Sequence, residues 1–287
     1  MQRRHFLTGT AAIAAVPLAL GAARPAPPEL IDTNASLGDW PTRRSWVTRP
    51  ADLVAKFRRH GVTSAWTASF EGVLHTDIAG ANARLAATCA REGAGILVPF
   101  GTLNPTFPDW EDDLRRCQET HRMPGVRLYP NYHGYALDDA RFVRLLELAT
   151  RLGLLVQVTL SMEDDRSQNP VLAVPPVQPA PLADVIEKIP GARVMLLNGT
   201  SRLYGSAIPL MQRLSRSGAR FEIATLEGVA GIEGLLQKVP DLRLCFGSHT
   251  PYFYFEAALL KLQESDLTAA QLAAVSHVHA RAALKSP

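Results

Sequence analysis

The residues best equipped for chemistry are a histidine in "FGSHTP", His249, and the charged run "MEDDR", Met162 to Arg166. His249 follows the apolar run "LRLC" and so stands at the end of a buried strand. With an ordinary pKa of about 6.5, an imidazole there can transfer protons, ligate a metal or simply pack as a hydrogen-bonded ring. In the charged run, Glu163 or Asp164 could orient or share that proton transfer, and Arg166 could grip a substrate carboxylate through two parallel hydrogen bonds. A solvated charged loop is the plainer alternative. Arg127 lies inside the apolar strand "GVRLYP", where a charge persists only if it is paired or faces a polar mouth. Substrate binding and an ion pair with Glu222 or another strand-end carboxylate both meet that requirement. His133, in "NYHGY", is either catalytic or packed into its loop. His60, His75, His121, His277 and His279 fall on helices or helix starts and carry no assigned chemistry.

Residues this scattered meet only if the chain gathers its strand ends. Eight β-rich apolar runs, at 29–34, 62–69, 95–101, 125–130, 154–160, 192–198, 220–225 and 242–248, alternate with segments whose apolar residues recur every three or four positions. Such alternation predicts an α/β fold, and a single (β/α)8 TIM barrel is its economical closure. A doubly wound sheet would call for a glycine-rich fingerprint after the first strand, where "DTNASLGDW" stands instead. In a barrel the C-terminal strand ends share one mouth, so Asn34, Gln157 and Asn198 join Arg127, Asn131 and Arg166 as expected substrate contacts. Asp32, Ser36, Glu222 and Ser248 come to the same rim. The irregular stretch from Ser161 to Pro181 should lie over it.

The N-terminus belongs to a different task. Arg3 and Arg4 precede an Ala-rich apolar stretch too short for a lasting membrane span, so residues 1–23 read as a Tat-like export signal and 24–28 as a Pro-rich linker. Residues 29–287 then form one domain, exported to the periplasm or beyond, with the Tat machinery as the precursor's partner and no stable membrane anchor. Removing the signal leaves 28 basic residues against 27 acidic ones, a balance that offers no basic face to nucleic acid. Cys89, Cys117 and Cys245 lack metal or redox spacing and read as buried apolar residues. The expected partner is a small-molecule substrate, and self-assembly into a homo-oligomer stays open.

Three stretches, "IDTNASLGDWP", "GVRLYPNYHGYALDD" and "FGSHTPYFYFEAALLKL" with a terminal "HARAAL", resemble the amidohydrolase-related (type 2) branch of the amidohydrolase superfamily. The resemblance implies the same barrel and metal-dependent hydrolase, decarboxylase or lyase chemistry. It also implies a divalent cofactor such as zinc, held by a His-x-His on the first strand, histidines after the fifth and sixth strands and an aspartate after the eighth. Here those positions carry Asn34 and Ser36, Gln157 or Thr159, Asn198, and His249. Most ligands are therefore replaced, and no metal site is expected. The leading expectation is a hydrolase of a C–N or C–O bond, or a related decarboxylase or lyase, acting on a small carboxylate-bearing molecule. A binding protein that has lost catalysis is the alternative. A third reading rebuilds a metal site from His249, Glu163 or Asp164, and His133.

Replacing Arg3 and Arg4 together by Lys should strand the precursor in the cytoplasm, because the arginine pair is an address read by a receptor. Cell fractionation that finds the double variant exported normally would remove the Tat assignment.

Overall fold

The apolar runs form parallel strands because they are buried on both faces and are joined by helical crossovers. The computed structural model describes residues 29–284 except 48, 165 and 167; residues 1–28, read above as an export signal and linker, lie outside the described residues. The strands are β1 (Leu30–Leu37), β2 (Val62–Ser69), β3 (Leu97–Pro99), β4 (Gly101–Thr102), β5 (Gly125–Leu128), β6 (Leu155–Thr159), β7 (Val194–Leu197), β8 (Arg220–Glu222) and β9 (Leu244–Cys245). Pairing is parallel and follows chain order, in one sheet from β1 to β3 and another from β4 to β9. The two sheets are one barrel. Phe100 N donates to Thr67 O at 2.8 Å, so β3 and β4 are halves of one interrupted strand. At the other seam Thr33 N reaches Phe246 O at 2.9 Å and Ser36 N reaches Thr250 O at 2.8 Å. The eight expected strands are therefore present. The last is regular only at Leu244–Cys245, because Phe246 N turns away to Val275 O at 2.8 Å.

Amphipathic helices cover the outside. The helix Ala140–Arg151 buries Phe142, Leu145, Leu146 and Ala149 at three- and four-residue spacing, and Asp139 caps it by accepting from Arg141 N. Each such Leu or Phe contributes about 1.5–3 kcal/mol by leaving water. Outward strand residues such as Val126, Val156, Leu196 and Leu244 meet these helices in the main core.

Alternate strand residues point inward and stack in three layers. Ile31, Trp66, Phe100, Leu155, Met195 and Cys245 fill the lower barrel, sealed below by Ala280 and Ala283 of the final helix. A polar layer follows, with Asp32, Arg127, Gln157 and Glu222 all buried. Above it lies an aromatic layer that the next subsection describes. Cys89, Cys117 and Cys245 are free and buried, and burial pushes each thiol up to about 12, which leaves them inert.

Gly247 sits where the polar layer allows no side chain. A Cβ there would lie 2.5 Å from Glu222 Oε2 and 3.2 Å from Asn34 Cβ. Gly247→Ala should therefore cost about 1–3 kcal/mol by overpacking. Gly234, in the helix Gly231–Lys238, has open space around it, and Gly234→Ala should stabilise by up to about 1 kcal/mol. Thermal unfolding of the two variants checks this opposite pair of signs.

Candidate active site

The polar layer is organised by Arg127, which is 1% exposed. Its Nε donates to Gln157 Oε1 at 2.9 Å; Nη1 reaches Ala35 O at 2.8 Å, Asn34 Oδ1 at 3.2 Å and Ser36 Oγ at 3.4 Å; Nη2 reaches Trp66 O at 3.0 Å and Thr33 O at 3.3 Å. A guanidinium has five N–H groups, and these contacts use them all. None remains for a substrate carboxylate, so Arg127 is a buried tie between strands rather than the substrate contact expected of it. Gln157 is likewise spent, donating to Thr33 O at 2.8 Å.

Two carboxyls accompany this cation without an ion pair to it. Asp32 accepts from Ser248 N at 3.0 Å, Ser248 Oγ at 2.5 Å and Asn34 N at 3.0 Å. Glu222 accepts from Asn198 N and Ala224 N, both at 2.5 Å. Burial pushes Asp32 up to about 6 and Glu222 up to about 7 against these hydrogen bonds. Asn198, at φ 51°, links the polar layer to the loop after β6: its Oδ1 accepts from Asn34 Nδ2 and its Nδ2 donates to Ser161 O, each at 2.8 Å.

His249 is 2% exposed and has the left-handed φ of 55°. Its Nε2 lies 3.0 Å from Met162 O and 3.4 Å from Asn198 Nδ2. The carbonyl can only accept, which assigns the proton to Nε2 and leaves Nδ1 a bare acceptor; it is buried without a partner among the described residues. Burial pulls the ring down to about 4, so it is neutral at pH 7. Tyr252 stacks on it with centroids 5.1 Å apart, and Phe253 meets it edge-on at the same distance. Above lie Trp40, Phe70, Val73, Tyr129, Met162 and Tyr252, packed as one buried cluster. Each follows the C-terminal end of a strand, β1, β2, β5, β6 or β9, so the cluster plugs the barrel mouth and seals His249 beneath it.

Access survives to one side. A cavity of about 840 Å³ opens between the loops after β6, β7 and β8 and the helix Phe255–Glu264. Glu163 reaches it from under the plug, nearly buried, with Trp40 Nε1 donating to its Oε1 at 2.6 Å. Arg43 reaches it from above, its guanidinium 4.7 Å from the Tyr252 ring centroid. Among the described residues no carboxylate lies within ion-pair distance of Arg43. Asn198, Thr225 and Lys261 add polar groups, while Leu226, Phe253, Ala257 and Leu260 supply apolar wall. Lys261 donates to Ile223 O at 3.0 Å and to Ala224 O, and burial lowers its pKa.

The other expected residues sit elsewhere or are engaged. Arg166 lines the cavity but its side chain is 77% exposed and pairs with Asp164 at 2.5 Å and Glu227 at 3.0 Å. That pairing holds Asp164 down at about 2. His133 Nε2 meets Gly72 O at 3.1 Å, which packs it between loops away from the cavity, and burial lowers its pKa. Asn131 pins the long loop by donating to Pro175 O at 3.1 Å. The fold therefore does not bring His249, His133 and Asp164 together. Among the described residues no group of three or more His, Cys, Asp or Glu could hold a metal ion. The oxygens of Asn34, Gln157 and Asn198 already accept hydrogen bonds, Ser36 offers only a hydroxyl and His249 is a single imidazole, so this donor set does not fit a zinc-like ion. Sequence reasoning missed Trp40, Arg43, Tyr252 and Lys261. "GDWPTRR" carries the first two beyond a strand end, and nothing in its spacing marks them.

His249→Asn isolates the sealed ring, since Asn tolerates the left-handed backbone. A depressed histidine leaves the native state unpenalised above the unfolded pKa of 6.5 and costs stability as pH falls towards 4, because the unfolded chain takes the proton first. Asp32 and Glu222 act oppositely, their penalty growing as pH rises from about 4 to 6 or 7, and they are common to both proteins. Wild type should exceed the variant by about 1–3 kcal/mol at pH 7. That margin should shrink as pH falls from 6.5 to 4; urea unfolding across this range measures it.

The geometry has counterparts among known proteins. The amidohydrolase family model matches residues 41–283. No curated protein matches the sequence. Among solved structures, 5-carboxyvanillate decarboxylase from Novosphingobium aromaticivorans, complexed with manganese and 4-hydroxy-3-methoxy-5-nitrobenzoic acid, is similar with a TM-score of 0.72 and 13% identity, over 89% of this chain and 96% of that one. The 2,6-dihydroxybenzoate decarboxylase from Rhizobium gives 0.68 and 10%, over 89% and 98%. The 5-carboxyvanillate decarboxylase of Sphingomonas paucimobilis gives 0.68 and 16%, over 91% and 100%. At such identities the structures speak for the (β/α)8 fold alone, and it is the match across most of the sequence that carries the assignment: this chain belongs to the amidohydrolase family.

Proposed function

We propose that the chain is an exported enzyme acting on a small carboxylate-bearing organic molecule held in the lateral cavity, on the decarboxylase or lyase side of its family's chemistry. The observation that carries this reading is Glu163, a nearly buried carboxylate on the cavity wall, fixed by Trp40 and shared with Arg43 as a lining residue. Arg43 binds the substrate carboxylate, a role for which a guanidinium is well shaped. The apolar wall of Leu226, Phe253, Ala257 and Leu260 takes the hydrocarbon body and strips water from the reacting end. Glu163 then transfers a proton. In a decarboxylation the bond to the carboxyl carbon breaks, its electron pair stays on the substrate carbon, and a proton relayed by Glu163 from water ends there as CO2 leaves, the hydroxide left behind combining with the CO2 as bicarbonate. The similar structures named for decarboxylation of carboxylated aromatics support that substrate class. Export rests on the twin arginines of the leader.

A second reading is a binding protein without catalysis, favoured by the plug that seals His249. Calorimetric binding and CO2 release over a panel of hydroxybenzoates separate the two. Under the enzyme reading Glu163→Gln should keep binding within roughly threefold and lose about 10²- to 10⁴-fold in kcat. Arg43→Ala should weaken binding by roughly tenfold or more. Tight binding by wild type without any product would select the binding protein, and binding indifferent to Arg43→Ala would remove the proposed carboxylate contact.

A further inference from the structure

The contacts of Arg127 have a pattern beyond their number. They come from β1 through Thr33 O, Asn34 Oδ1, Ala35 O and Ser36 Oγ, from β2 through Trp66 O and from β6 through Gln157 Oε1, while its own backbone lies in β5. One side chain thus joins four strands at the barrel axis. Its Nη1 touches the side chains at both first-strand positions, Asn34 and Ser36, where the family's sequence pattern has its paired histidines. Charge and geometry therefore coincide at the place where ligands would converge.

We propose that the Arg127 guanidinium is this barrel's built-in central cation, performing the cross-linking and charge balance that a divalent ion would perform there, and excluding such an ion. A guanidinium keeps its proton throughout the accessible pH range, so the charge is permanent. The buried anions of this layer are Asp32 and Glu222, and their oxygens are already committed to Ser248 and to the backbone N–H groups of Asn34, Asn198 and Ala224. A divalent ion added beside Arg127 would put three positive charges against these two carboxyls in a layer remote from water, which is unfavourable. The neutral residues follow from the same requirement. An amide such as Asn34 or Gln157 faces a guanidinium with its oxygen and carries no charge at any pH, whereas a histidine would become a second cation on protonation.

The test reads metal content and melting temperature, so it is independent of whether the cavity proves catalytic. Wild-type protein, treated with chelator and then titrated with zinc or manganese, should show no tight site and no rise in melting temperature. One sub-micromolar ion per chain would overturn the proposal. Arg127→Ala should melt lower by on the order of 10 °C. Low-millimolar guanidinium should restore several degrees while equimolar urea, neutral and of the same shape, should not. Rescue by zinc or manganese, replacing the lost charge at the vacated centre, would agree with the cation role, whereas equal rescue by urea would overturn it. Should the Ala variant fail to fold, Arg127→Lys and Arg127→Met carry the comparison. Lys keeps the charge without the planar fork and should melt between wild type and Met, whereas a Met variant as stable as Lys would show that charge is not what the site requires.

Discussion

A permanent positive charge held at the centre of a barrel, out of reach of water, governs much of this molecule. Arg127 cannot shed its proton, and no solvent is available to solvate it, so the surrounding strands must present acceptors. They do so with backbone carbonyls of β1 and β2 and with the amides of Asn34 and Gln157. The requirement propagates outward. Asn34 passes its own amide hydrogen to Asn198, Asn198 passes its hydrogen to Ser161 at the root of the loop after β6, and Asn198 N binds Glu222. Gly247 keeps room for Glu222 by having no side chain. A fault anywhere in this chain would leave a buried donor or acceptor unpaired, which is why the polar layer behaves as a unit.

Sealing the layer has a second consequence. Trp40, Phe70, Tyr129, Met162 and Tyr252 cap the axis with aromatic and sulfur groups, and His249 becomes a neutral ring inside the protein rather than a titrating group at its surface. Accessible chemistry is displaced to the side, where the loop after β6 turns Glu163 towards the cavity and the loop after β1 supplies Arg43. The same loop after β6 holds the Met162 carbonyl over His249 and the Glu163 carboxylate against Trp40. Ordering of this loop is thereby coupled to both the sealed centre and the open pocket. Its farther part is pinned by Asn131 at Pro175.

The fold was legible in the sequence because its signals are local. Eight apolar β-rich runs separated by amphipathic segments admit few closures, and their periodicity survives whatever side chains occupy the mouth. The third strand shows the limit of that reasoning. The run 95–101 looks continuous, yet its ladder is broken at Phe100. At the site, Glu163, Arg127 and Asn198 were recognisable as chemistry-bearing residues at strand ends, but their roles were not. Whether Arg127 binds a substrate or spends its five N–H groups internally depends on acceptors 30 to 94 positions away.

Residue types and spacing alone determined that this chain is an α/β barrel and that Arg127 must find partners inside it. Those conclusions rest on hydrophobic periodicity and on the cost of burying a charge, both properties of short stretches. Tertiary structure decided what no short stretch contains: that His249 is sealed, that Asp164 is drawn to Arg166 instead of the axis, and that Trp40, Arg43 and Glu163 meet at a lateral cavity. Accessibility and pairing are properties of the assembled loops. A histidine's proton affinity and a carboxylate's partner follow from distances between segments far apart in the chain, and folding alone sets those distances.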